Sequence, residues 1–309
     1  MNLREERLRQ TLRDIVSGDA LFDEPTHRYT SMGVGGRADA IVFPHSKGEL
    51  RELRIFIGKR EIPFIPVGNW TNLIVKDGGY RGIIISLQRL NRVEKIERNA
   101  AHVIVVAEGG VALSDIVRLT SYESFTGMEF CAGIPGSVGG AVKMNAGAYE
   151  NEIKNIVETV SVMNTEGDIA ELHRDELRFE YRNLNLPEGA IIVGASFLLT
   201  KGLKENIDEK IREILEIRKG KHPLEYRSAG SIFKNPKGMI AGRIIDALGL
   251  KGTRIGGAEI SDKHANFIVN TGNAKAADIL ALMDVITKRV WEEKGIRLEP
   301  EVRIIGAEG

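Results

Sequence analysis

Short apolar runs separated by polar turns fill the first two thirds of the chain, a pattern typical of β-strands. It predicts strands over residues 39–43, 64–67, 82–86, 102–107, 157–163 and 190–199. Apolar residues at helical spacing over residues 47–60 predict a helix between the first two strands, as in a β-α-β unit. Residues 164–168 have the composition of a hairpin turn between residues 157–163 and the chain that follows.

The last third of the chain has mainly helical periodicity. The spacing predicts helices over residues 207–219, 239–248 and 274–293, the last of them capped by Asn273, and one final strand over residues 301–305. In the first of these helices, Ile211, Ile214, Leu215 and Ile217 are available for packing. A further helix is predicted at the N-terminus, over residues 3–16. The chain is therefore predicted to be an α+β protein.

Composition narrows the possible functions. The 309 residues are enough for two or three compact units, and 43 Lys plus Arg balance 43 Asp plus Glu, so a nucleic-acid partner is disfavoured. No apolar run reaches the length of about 18 residues that a membrane-spanning helix needs, and the charged N-terminus does not resemble a secretory signal. Cys131 is the only cysteine, and a small packed residue is its favoured interpretation. We expect a cytoplasmic protein that binds no membrane.

The most informative segment is residues 133–149, in which five of seventeen residues are glycine. Glycines let backbone N–H groups approach a ligand closely, and consecutive N–H groups form a concave nest suited to pyrophosphate. Pro135 fixes one φ angle within the segment. An ordinary glycine-rich connection is the alternative, but the apolar residues within the segment favour a buried turn that faces a ligand.

A second turn, Gly68-Asn-Trp-Thr-Asn72, follows a predicted strand. It offers N–H donors and polar side chains to a phosphate, although such turns are common. Together with residues 133–140 it could hold a dinucleotide pyrophosphate from two sides. Residues 30–36 lack the G-x-G-x-x-G spacing, so a nicotinamide-binding Rossmann unit is not supported.

Three further segments carry reactive groups. In Arg178-Phe-Glu-Tyr-Arg182, an extended chain would place Phe179 and Tyr181 on one face, and an arginine could pair with a carboxylate or a surface acid. Ser231 lies on a glycine-flanked turn without a nucleophile elbow, so it is either a proton donor or a turn-capping hydroxyl.

The third segment, residues 249–270, is glycine-rich and basic. Its Lys251 and Arg254 could meet an anionic ligand, while His264 lacks partners at metal-ligand spacing, so we expect no metal site. Glu301 lies just after Pro300 at the start of the final strand, where a solvated acid would also be ordinary.

Taken in order, these segments resemble the family of UDP-N-acetylenolpyruvoylglucosamine reductases from about Thr30 to Gly306. The most specific matches are Gly-Ile-Pro-Gly-Ser-Val-Gly-Gly-Ala-Val with Asn145-Ala-Gly, Gly-Ser-Ile-Phe-Lys-Asn-Pro, His-Ala-Asn-Phe-Ile-Val-Asn and Leu-Glu-Pro-Glu-Val-Arg. Only 48 residues separate Arg182 from Ser231, which resembles the subtype without an inserted lid loop.

The resemblance implies a two-part FAD-binding region of the vanillyl-alcohol-oxidase (PCMH) type and a C-terminal α/β substrate domain. The implied boundaries are residues 1–78 with the strand 300–309, residues 79–200, and residues 201–299. Non-covalent FAD and NADPH as co-substrate are implied, with a monomer or weak oligomer. The implied FAD-binding residues are Gly68, Asn69, Thr71, Asn72, Gly133, Ile134, Pro135, Gly136, Ser137, Gly139, Gly140, Asn145, Ala146 and Gly147.

The family's reaction is the NADPH-dependent reduction of UDP-N-acetylglucosamine enolpyruvate to UDP-N-acetylmuramate in peptidoglycan precursor synthesis. By resemblance, Ser231 is the proton donor, and Arg182 and Glu301 stabilise an enolate-like intermediate. Because an anion would repel an enolate, we expect Glu301 to be protonated or to share a proton at that step. Expected contacts to the UDP-sugar are Tyr181, Asn235, Lys251, Arg254 and Asn266.

Three sites depart from the family pattern. Asn183-Leu-Asn follows Arg182, where the family commonly has a serine two residues past the arginine. Trp70-Thr71 stands where the family usually has Gly-Ser, and Glu150 stands where it usually has glycine. Two other functions stay open at this stage. One is an FAD-dependent oxidase, in which Cys131 or a histidine could be attached to flavin. The other is a non-enzymatic binder of flavin or nucleotide sugar.

Overall fold

A computed structural model describes residues 5–309 of the chain, so the start of the predicted N-terminal helix, at residues 3 and 4, lies outside the described residues. The α-helices are α1 (Glu6–Ile15), α2 (Lys47–Gly58), α3 (Leu113–Tyr122), α4 (Val138–Lys143), α5 (Lys204–Lys221), α6 (Ala241–Ala247) and α7 (Ala276–Lys294). None of the helices in residues 5–309 has both the length and the hydropathy needed to cross a bilayer.

Within residues 5–309 the structure has twenty strands, many of them very short, and these include the seven predicted strands. They are β1 (Ala20–Pro25), β2 (Arg37–Val42), β3 (Phe64–Val67), β4 (Leu73–Val75), β5 (Tyr80–Ser86), β6 (Val93–Glu97), β7 (His102–Glu108), β8 (Phe125–Thr126), β9 (Gly147–Ala148), β10 (Asn151–Glu152), β11 (Val157–Met163), β12 (Ile169–His173), β13 (Arg178–Glu180), β14 (Asn183–Asn185), β15 (Ile191–Lys201), β16 (Arg227–Ser231), β17 (Arg254–Ile255), β18 (Ala258–Ile260), β19 (Phe267–Asn270) and β20 (Arg303–Ile305). The α+β prediction and the hairpin between β11 and β12 are confirmed.

The chain divides into two compact units. The first contains residues 1–22, 39–69 and 82–217, and the second contains residues 23–38, 70–81 and 218–309. Each unit is therefore assembled from segments that are distant in sequence. The division into three domains that the resemblance implies stays a prediction.

The first unit is organised around long antiparallel strands. The sheet order is β12-β11-β15-β7-β6, and β15 is buried along most of its length, between β11 and β7. A second sheet has the order β1-β2-β5-β3, in which β3 and β5 run parallel. The predicted helix α2 lies between β2 and β3 in the chain, but β5 lies between these two strands in the sheet.

The second unit has a four-stranded antiparallel sheet of order β16-β19-β18-β17. Helix α7 buries Ile279, Leu282, Met283, Ile286 and Val290 in the core of this unit, which confirms the periodicity predicted for that helix. Strand β20 pairs in parallel with β4, so the C-terminal chain returns to residues more than two hundred positions earlier.

Two details of the helix predictions are wrong. Helix α7 begins at Ala276 rather than Ala274, and Asn273 is not its cap. The N–H groups of Ala276 and Ala277 instead donate to the carboxylate of Asp77, at 3.0 and 2.9 Å. In α5, Ile214 is buried as expected, but Leu215 and Ile217 are 43% and 41% exposed. The sequence contains no local signal that a carboxylate 199 residues away would cap α7.

The substitution Asp77→Ala is expected to destabilise the protein by about 1 kcal/mol, because it leaves two N–H groups of the first turn of α7 without their acceptor. Urea unfolding measures the change in the free energy of unfolding. Asp77→Asn is the matched control, since it keeps one oxygen acceptor and should lose less. Equal stability of the wild type and Asp77→Ala would contradict this capping role.

Candidate functional site

The two glycine-rich turns predicted to bind phosphate lie side by side in the first unit. The Nδ2 of Asn69 donates to the carbonyl of Gly136 at 3.0 Å. A Cβ atom added at Gly68 would lie 1.9 Å from the Oγ of Ser137. Glycine is therefore required at position 68 by the close approach of the second turn. The two turns are therefore adjacent, and their binding of a pyrophosphate from two sides stays a prediction.

The first half of the second turn has unused N–H donors. Ser137 caps α4 by accepting from the N–H of Gly140, and Gly136 has a φ of 155°, which only glycine adopts readily. The N–H groups of Gly133, Gly136 and Ser137 donate no hydrogen bond within residues 5–309. Such N–H groups are suited to the oxygens of a phosphate.

The second half of the turn is different. The N–H of Gly139 donates to the carbonyl of Gly109 at 2.8 Å, and the N–H of Gly140 donates to Ser137 Oγ at 3.3 Å. The N–H of Ile134 also donates internally, to the carbonyl of Cys131. Residues 139 and 140 therefore shape the turn, while the available donors lie at residues 133–137, around Pro135.

The Asn145-Ala-Gly segment that follows α4 is used internally. Asn145 is fully buried, and its carboxamide bonds to the Oε2 of Glu152, the carbonyl of Glu180 and the N–H of Lys154. The N–H of Ala146 donates to the carbonyl of Ala141, and Gly147 lies in β9. A contact from the Asn145 side chain to FAD has no geometric support, and roles for Ala146 and Gly147 stay predictions.

Arg182 lies at the tip of a hairpin. Strands β13 and β14 pair with Glu180 opposite Asn183, so Tyr181 and Arg182 form a two-residue turn. The expected extended alternation therefore ends at Glu180, with Phe179 half-buried and Tyr181 45% exposed. Arg182 has a φ of 58°, an uncommon conformation for a residue with a side chain, and such residues cluster at functional sites.

Ser231 ends strand β16 after a β-bulge. The pairing of β16 with β19 shifts register between Ser228 and Ser231, and Gly230 within the shift has a φ of 76°. Bulges of this kind redirect side chains next to active sites. The Oγ of Ser231 makes no hydrogen bond within residues 5–309, so the alternative of a turn-capping hydroxyl is not supported.

Glu301 is brought beside the Ser231 strand by backbone bonds. Its N–H donates to the carbonyl of Ile232 at 2.8 Å, and Pro300 pairs with Phe233. The Nδ2 of Asn72 donates to the Glu301 carbonyl at 3.1 Å, so the phosphate-turn residue Asn72 instead supports this segment. The second unit thus brings Ser231 and Glu301 together. Arg182 belongs to the first unit, and its convergence with the other two stays a prediction.

Trp70 and Thr71 belong to the second unit, whereas Gly68 and Asn69 belong to the first. Trp70 is 3% exposed, has a φ of 55°, and packs against Tyr29 with ring centroids 5.4 Å apart. The indole is therefore buried within its own unit. The carbonyl of Thr71 accepts from the Oγ of Ser31 at 3.3 Å.

Four of the residues expected to contact the UDP-sugar already have partners within the second unit, namely Asn235, Lys251, Arg254 and Asn266. Asn266 is 4% exposed, and its carboxamide accepts from the N–H of Phe233 and donates to the Phe233 carbonyl, at 3.0 and 2.8 Å. Asn235 accepts from the N–H of Ala241 at the start of α6. One N–H and the oxygen of the Asn266 carboxamide thus hold the chain that follows Ser231, and its contact to a nucleotide stays a prediction.

The two basic residues of the glycine-rich loop form ion pairs. Lys251 lies 3.1 Å from Asp246, and the Nε of Arg254 lies 2.5 Å from the carboxylate of Glu259. Their side chains are 31% and 68% exposed. Both stay available to an anionic ligand as predicted contacts, because exposed ion pairs of this kind exchange partners at little cost.

Cys131 is 1% exposed, and burial raises the pKa of its thiol to about 12. The thiol is therefore neutral and inaccessible, as expected for a packed residue.

Lys143 was not identified from the sequence. It lies within the glycine-rich segment, and its Nζ donates to the Asn183 side chain and the Leu184 carbonyl, beside Arg182. Its only sequence signal is its position two residues before Asn145.

Comparisons with known proteins cover almost the whole chain. Residues 222–305 match the family model described as UDP-N-acetylenolpyruvoylglucosamine reductase, C-terminal domain, and residues 38–173 match an FAD binding domain. A UDP-N-acetylenolpyruvoylglucosamine reductase from Syntrophus aciditrophicus is 52% identical over 302 residues, 98% of this chain and 97% of the relative. One from Streptococcus pneumoniae is 41% identical over 97% of this chain and 98% of the relative.

Solved structures agree. The crystal structure of UDP-N-acetylenolpyruvylglucosamine reductase from Thermus caldophilus matches with a TM-score of 0.77 and 35% identity, over 92% of this chain and 97% of that one. A vanillyl-alcohol-oxidase-type flavoprotein from Myceliophthora thermophila matches with a TM-score of 0.51 and 10% identity, over 64% of this chain and 47% of that one. The latter likeness concerns the fold alone. The predicted fold class is confirmed.

The substitution Gly68→Ala is expected to lower the flavin content of the purified protein severalfold. The added methyl group would overlap Ser137 Oγ and displace the turn whose N–H groups are unused, and overpacking of this kind costs about 1–3 kcal/mol. Flavin absorbance relative to protein absorbance measures the effect.

The double variant Gly68→Ala with Ser137→Gly serves as the control, because it removes the overlapping side chain and should recover part of the flavin. Full flavin content in Gly68→Ala alone would show that the close approach of the two turns is not needed for cofactor binding.

Proposed function

The chain belongs to the family of UDP-N-acetylenolpyruvoylglucosamine reductases, and on that premise we propose that Arg182, Ser231 and Glu301 perform the reaction in this protein. The protein is an FAD-dependent oxidoreductase that uses NADPH to reduce UDP-N-acetylglucosamine enolpyruvate to UDP-N-acetylmuramate, in peptidoglycan precursor synthesis. The observation that carries this function is 52% identity to a named relative over almost the full length of both chains.

The unused N–H groups of Gly133, Gly136 and Ser137 fit the pyrophosphate of FAD. We assign FAD phosphate binding to these N–H groups and to the neighbouring turn at Gly68 and Asn69. Bound FAD would supply the chemistry of hydride transfer from NADPH to an alkene carbon of the substrate. The protein's own contribution is to position the cofactor and to stabilise and protonate the product of that transfer.

Arg182 is assigned to the substrate carboxylate. Addition of hydride to the alkene increases negative charge on the neighbouring carboxylate, and a fixed guanidinium stabilises such charge through two parallel hydrogen bonds. The positive φ of Arg182 supports this role, because a strained conformation at a hairpin tip would otherwise favour glycine or asparagine.

Ser231 is assigned as the proton donor to the carbon next to the one that receives hydride. A serine hydroxyl is a weak acid, so the enolate must be basic enough to take its proton. The hydroxyl has no acceptor within residues 5–309, so it is free to orient its proton towards a substrate. We expect a water molecule to resupply the proton.

Glu301 is assigned to stabilising the enolate as a hydrogen-bond donor. A charged carboxylate would repel developing negative charge, so the role requires a protonated or proton-sharing carboxyl group. Glu301 is half-buried, and its backbone N–H donates to the carbonyl of Ile232. Glu301 and Ser231 then act on the same substrate from neighbouring backbone segments.

The oxidase alternative loses its structural basis at Cys131, because a buried thiol with a pKa raised to about 12 is not a nucleophile for flavin attachment. A cytoplasmic location, a monomer or weak oligomer, and the absence of nucleic-acid and membrane partners are further parts of the proposal. The balanced charge of the chain supports the absence of a nucleic-acid partner. The three-domain division is proposed on the family resemblance.

The substitution Ser231→Ala is expected to separate the two half-reactions. In the wild type, anaerobic NADPH should bleach the flavin colour, and added enolpyruvyl substrate should restore it. In Ser231→Ala, bleaching should keep its rate while the return of colour slows at least about a hundredfold, since a positioned proton donor contributes on that order. Stopped-flow absorbance measures both rates.

Equal slowing of both half-reactions would contradict the assignment of Ser231 as proton donor. Return of colour only on admitting oxygen, in the wild type, would favour the oxidase alternative. The absence of bleaching would favour a non-enzymatic binder.

The substitution Arg182→Gly is expected to keep or slightly raise the thermal midpoint while strongly slowing substrate-driven reoxidation of the flavin. Glycine adopts a φ of 58° without strain, and an ordinary residue there costs about 1 kcal/mol. Calorimetry and stopped-flow absorbance measure the two effects. Strong destabilisation together with normal reoxidation would reverse the interpretation and make Arg182 a structural residue.

A further inference from the structure

We propose that Lys143 and Asn145 are positioning residues that hold the β13–β14 hairpin from both of its strands and so fix the place of Arg182. Both residues lie towards the C-terminal end of the glycine-rich segment, residues 133–149. The segment that contains the proposed FAD-binding turn therefore also supports Arg182. The proposal depends on the proposed function of Arg182 in reducing the enolpyruvyl substrate.

Lys143 holds the strand that leaves the turn. Its Nζ donates to the Oδ1 of Asn183 at 2.9 Å and to the carbonyl of Leu184 at 2.6 Å. Asn183 is the residue directly after Arg182, and Leu184 is fully buried in the core of the first unit. One ammonium group therefore binds both the side chain beside the turn and the backbone of the strand.

Asn145 holds the strand that enters the turn. Its Nδ2 donates to the carbonyl of Glu180 at 3.2 Å, and Glu180 lies two residues before Arg182. The same Nδ2 donates to Glu152, and its Oδ1 accepts from the N–H of Lys154, at 3.1 Å each. Because Asn145 is fully buried and bonded on both amide atoms, its orientation is fixed.

The hairpin needs such support. Strands β13 and β14 have three residues each, and an isolated two-stranded hairpin is at best marginally stable in water. Its tip contains the positive φ of Arg182, a conformation that persists only when surrounding contacts determine it. Lys143 and Asn145 supply contacts on either side of this tip.

Positioning matters for the chemistry because misplacement of a reacting group by about 1 Å can reduce a rate about a hundredfold. Loss of the Lys143 ammonium should loosen one strand of the hairpin and leave the other held by Asn145. We therefore expect a partial effect on the step that uses Arg182 and little effect on the step that does not.

The test uses the FAD-loaded protein with the substitution Lys143→Met, which keeps an apolar stem and removes the donors. Anaerobic stopped-flow absorbance should show reduction of flavin by NADPH within about twofold of wild type. Substrate-driven reoxidation should be about tenfold slower. Lys143→Arg should restore most of the rate, because it keeps a charged donor.

Lys95→Met is the matched control, since Lys95 is also a partly exposed lysine of the first unit and pairs with Glu123 away from the hairpin. It should leave both rates unchanged. If Lys95→Met slowed reoxidation as much as Lys143→Met, the effect would be one of surface charge and the positioning role would be overturned.

Repeating Lys143→Met in an Arg182→Ala background separates this proposal from the proposed function. If Lys143 acts through Arg182, the second substitution should add no further slowing. The same tenfold slowing in both backgrounds would overturn the positioning role and leave the function of Arg182 intact. Normal reoxidation by Arg182→Ala alone would instead refute the proposed function.

Asn183→Ala provides a second variant if Lys143→Met does not retain FAD. It removes the Lys143 contact to the Asn183 side chain and keeps the contact to the Leu184 carbonyl. Reoxidation should therefore slow about threefold, with normal reduction of the flavin. A wild-type reoxidation rate in Asn183→Ala or in a folded Lys143→Met would contradict the proposal.

Discussion

The second unit's part of the site depends on backbone hydrogen bonds that hold residues 299–305 between two earlier segments. On one side the N–H of Lys234 donates to the carbonyl of Glu299, and the N–H of Glu301 donates to the carbonyl of Ile232. On the other side β20 pairs with β4 in parallel. Val302 and Ile74, at the centre of this arrangement, are buried, so hydrophobic burial reinforces the pairing. Without it, Glu301 would have no fixed relation to Ser231.

Features that depend on residues close together in the sequence could be predicted from it. The strands, the periodic helix α7, the hairpin at residues 164–168 and the glycine-rich turn all follow from local composition. The pairing of the Gly68 turn with the turn at Gly136 was also foreseeable, because one pyrophosphate needs donors from more than one segment. In each case the governing interactions lie within a few residues along the chain, or follow from what a single ligand requires.

Features that depend on distant partners could not be predicted. Asp77 caps α7 across 199 residues, and Asn266 uses its carboxamide on the backbone of Phe233. A buried asparagine and a nucleotide-binding asparagine look alike in sequence, because both need an amide and only the fold decides its partner. The bend at Tyr181 and Arg182 was also missed, since neither residue is typical of a turn.

Several residues with side chains have a positive φ, and three of them, Arg182, Glu150 and Trp70, differ in what explains it. In the proposed function Arg182 carries the guanidinium that the reaction needs, which glycine would remove. Glu150 lies in the two-residue turn between β9 and β10 with a φ of 63°, where related sequences usually have glycine, and nothing in the structure explains the exchange.

The conformation of Trp70 is explained by packing rather than by chemistry. Its φ of 55° costs about 1 kcal/mol, and its buried Nε1 has no hydrogen-bond partner within residues 5–309, which costs about 1–3 kcal/mol more. Burial of an indole removes about 200 Å² of surface from water, worth about 5 kcal/mol. Packing against Tyr29 can therefore offset both costs, so an indole is tolerated where the family usually keeps a glycine. The strain at Trp70 is balanced by packing within its own unit. The strain at Arg182 lies in a hairpin that Lys143 and Asn145 hold, and its guanidinium lies over the Tyr181 ring.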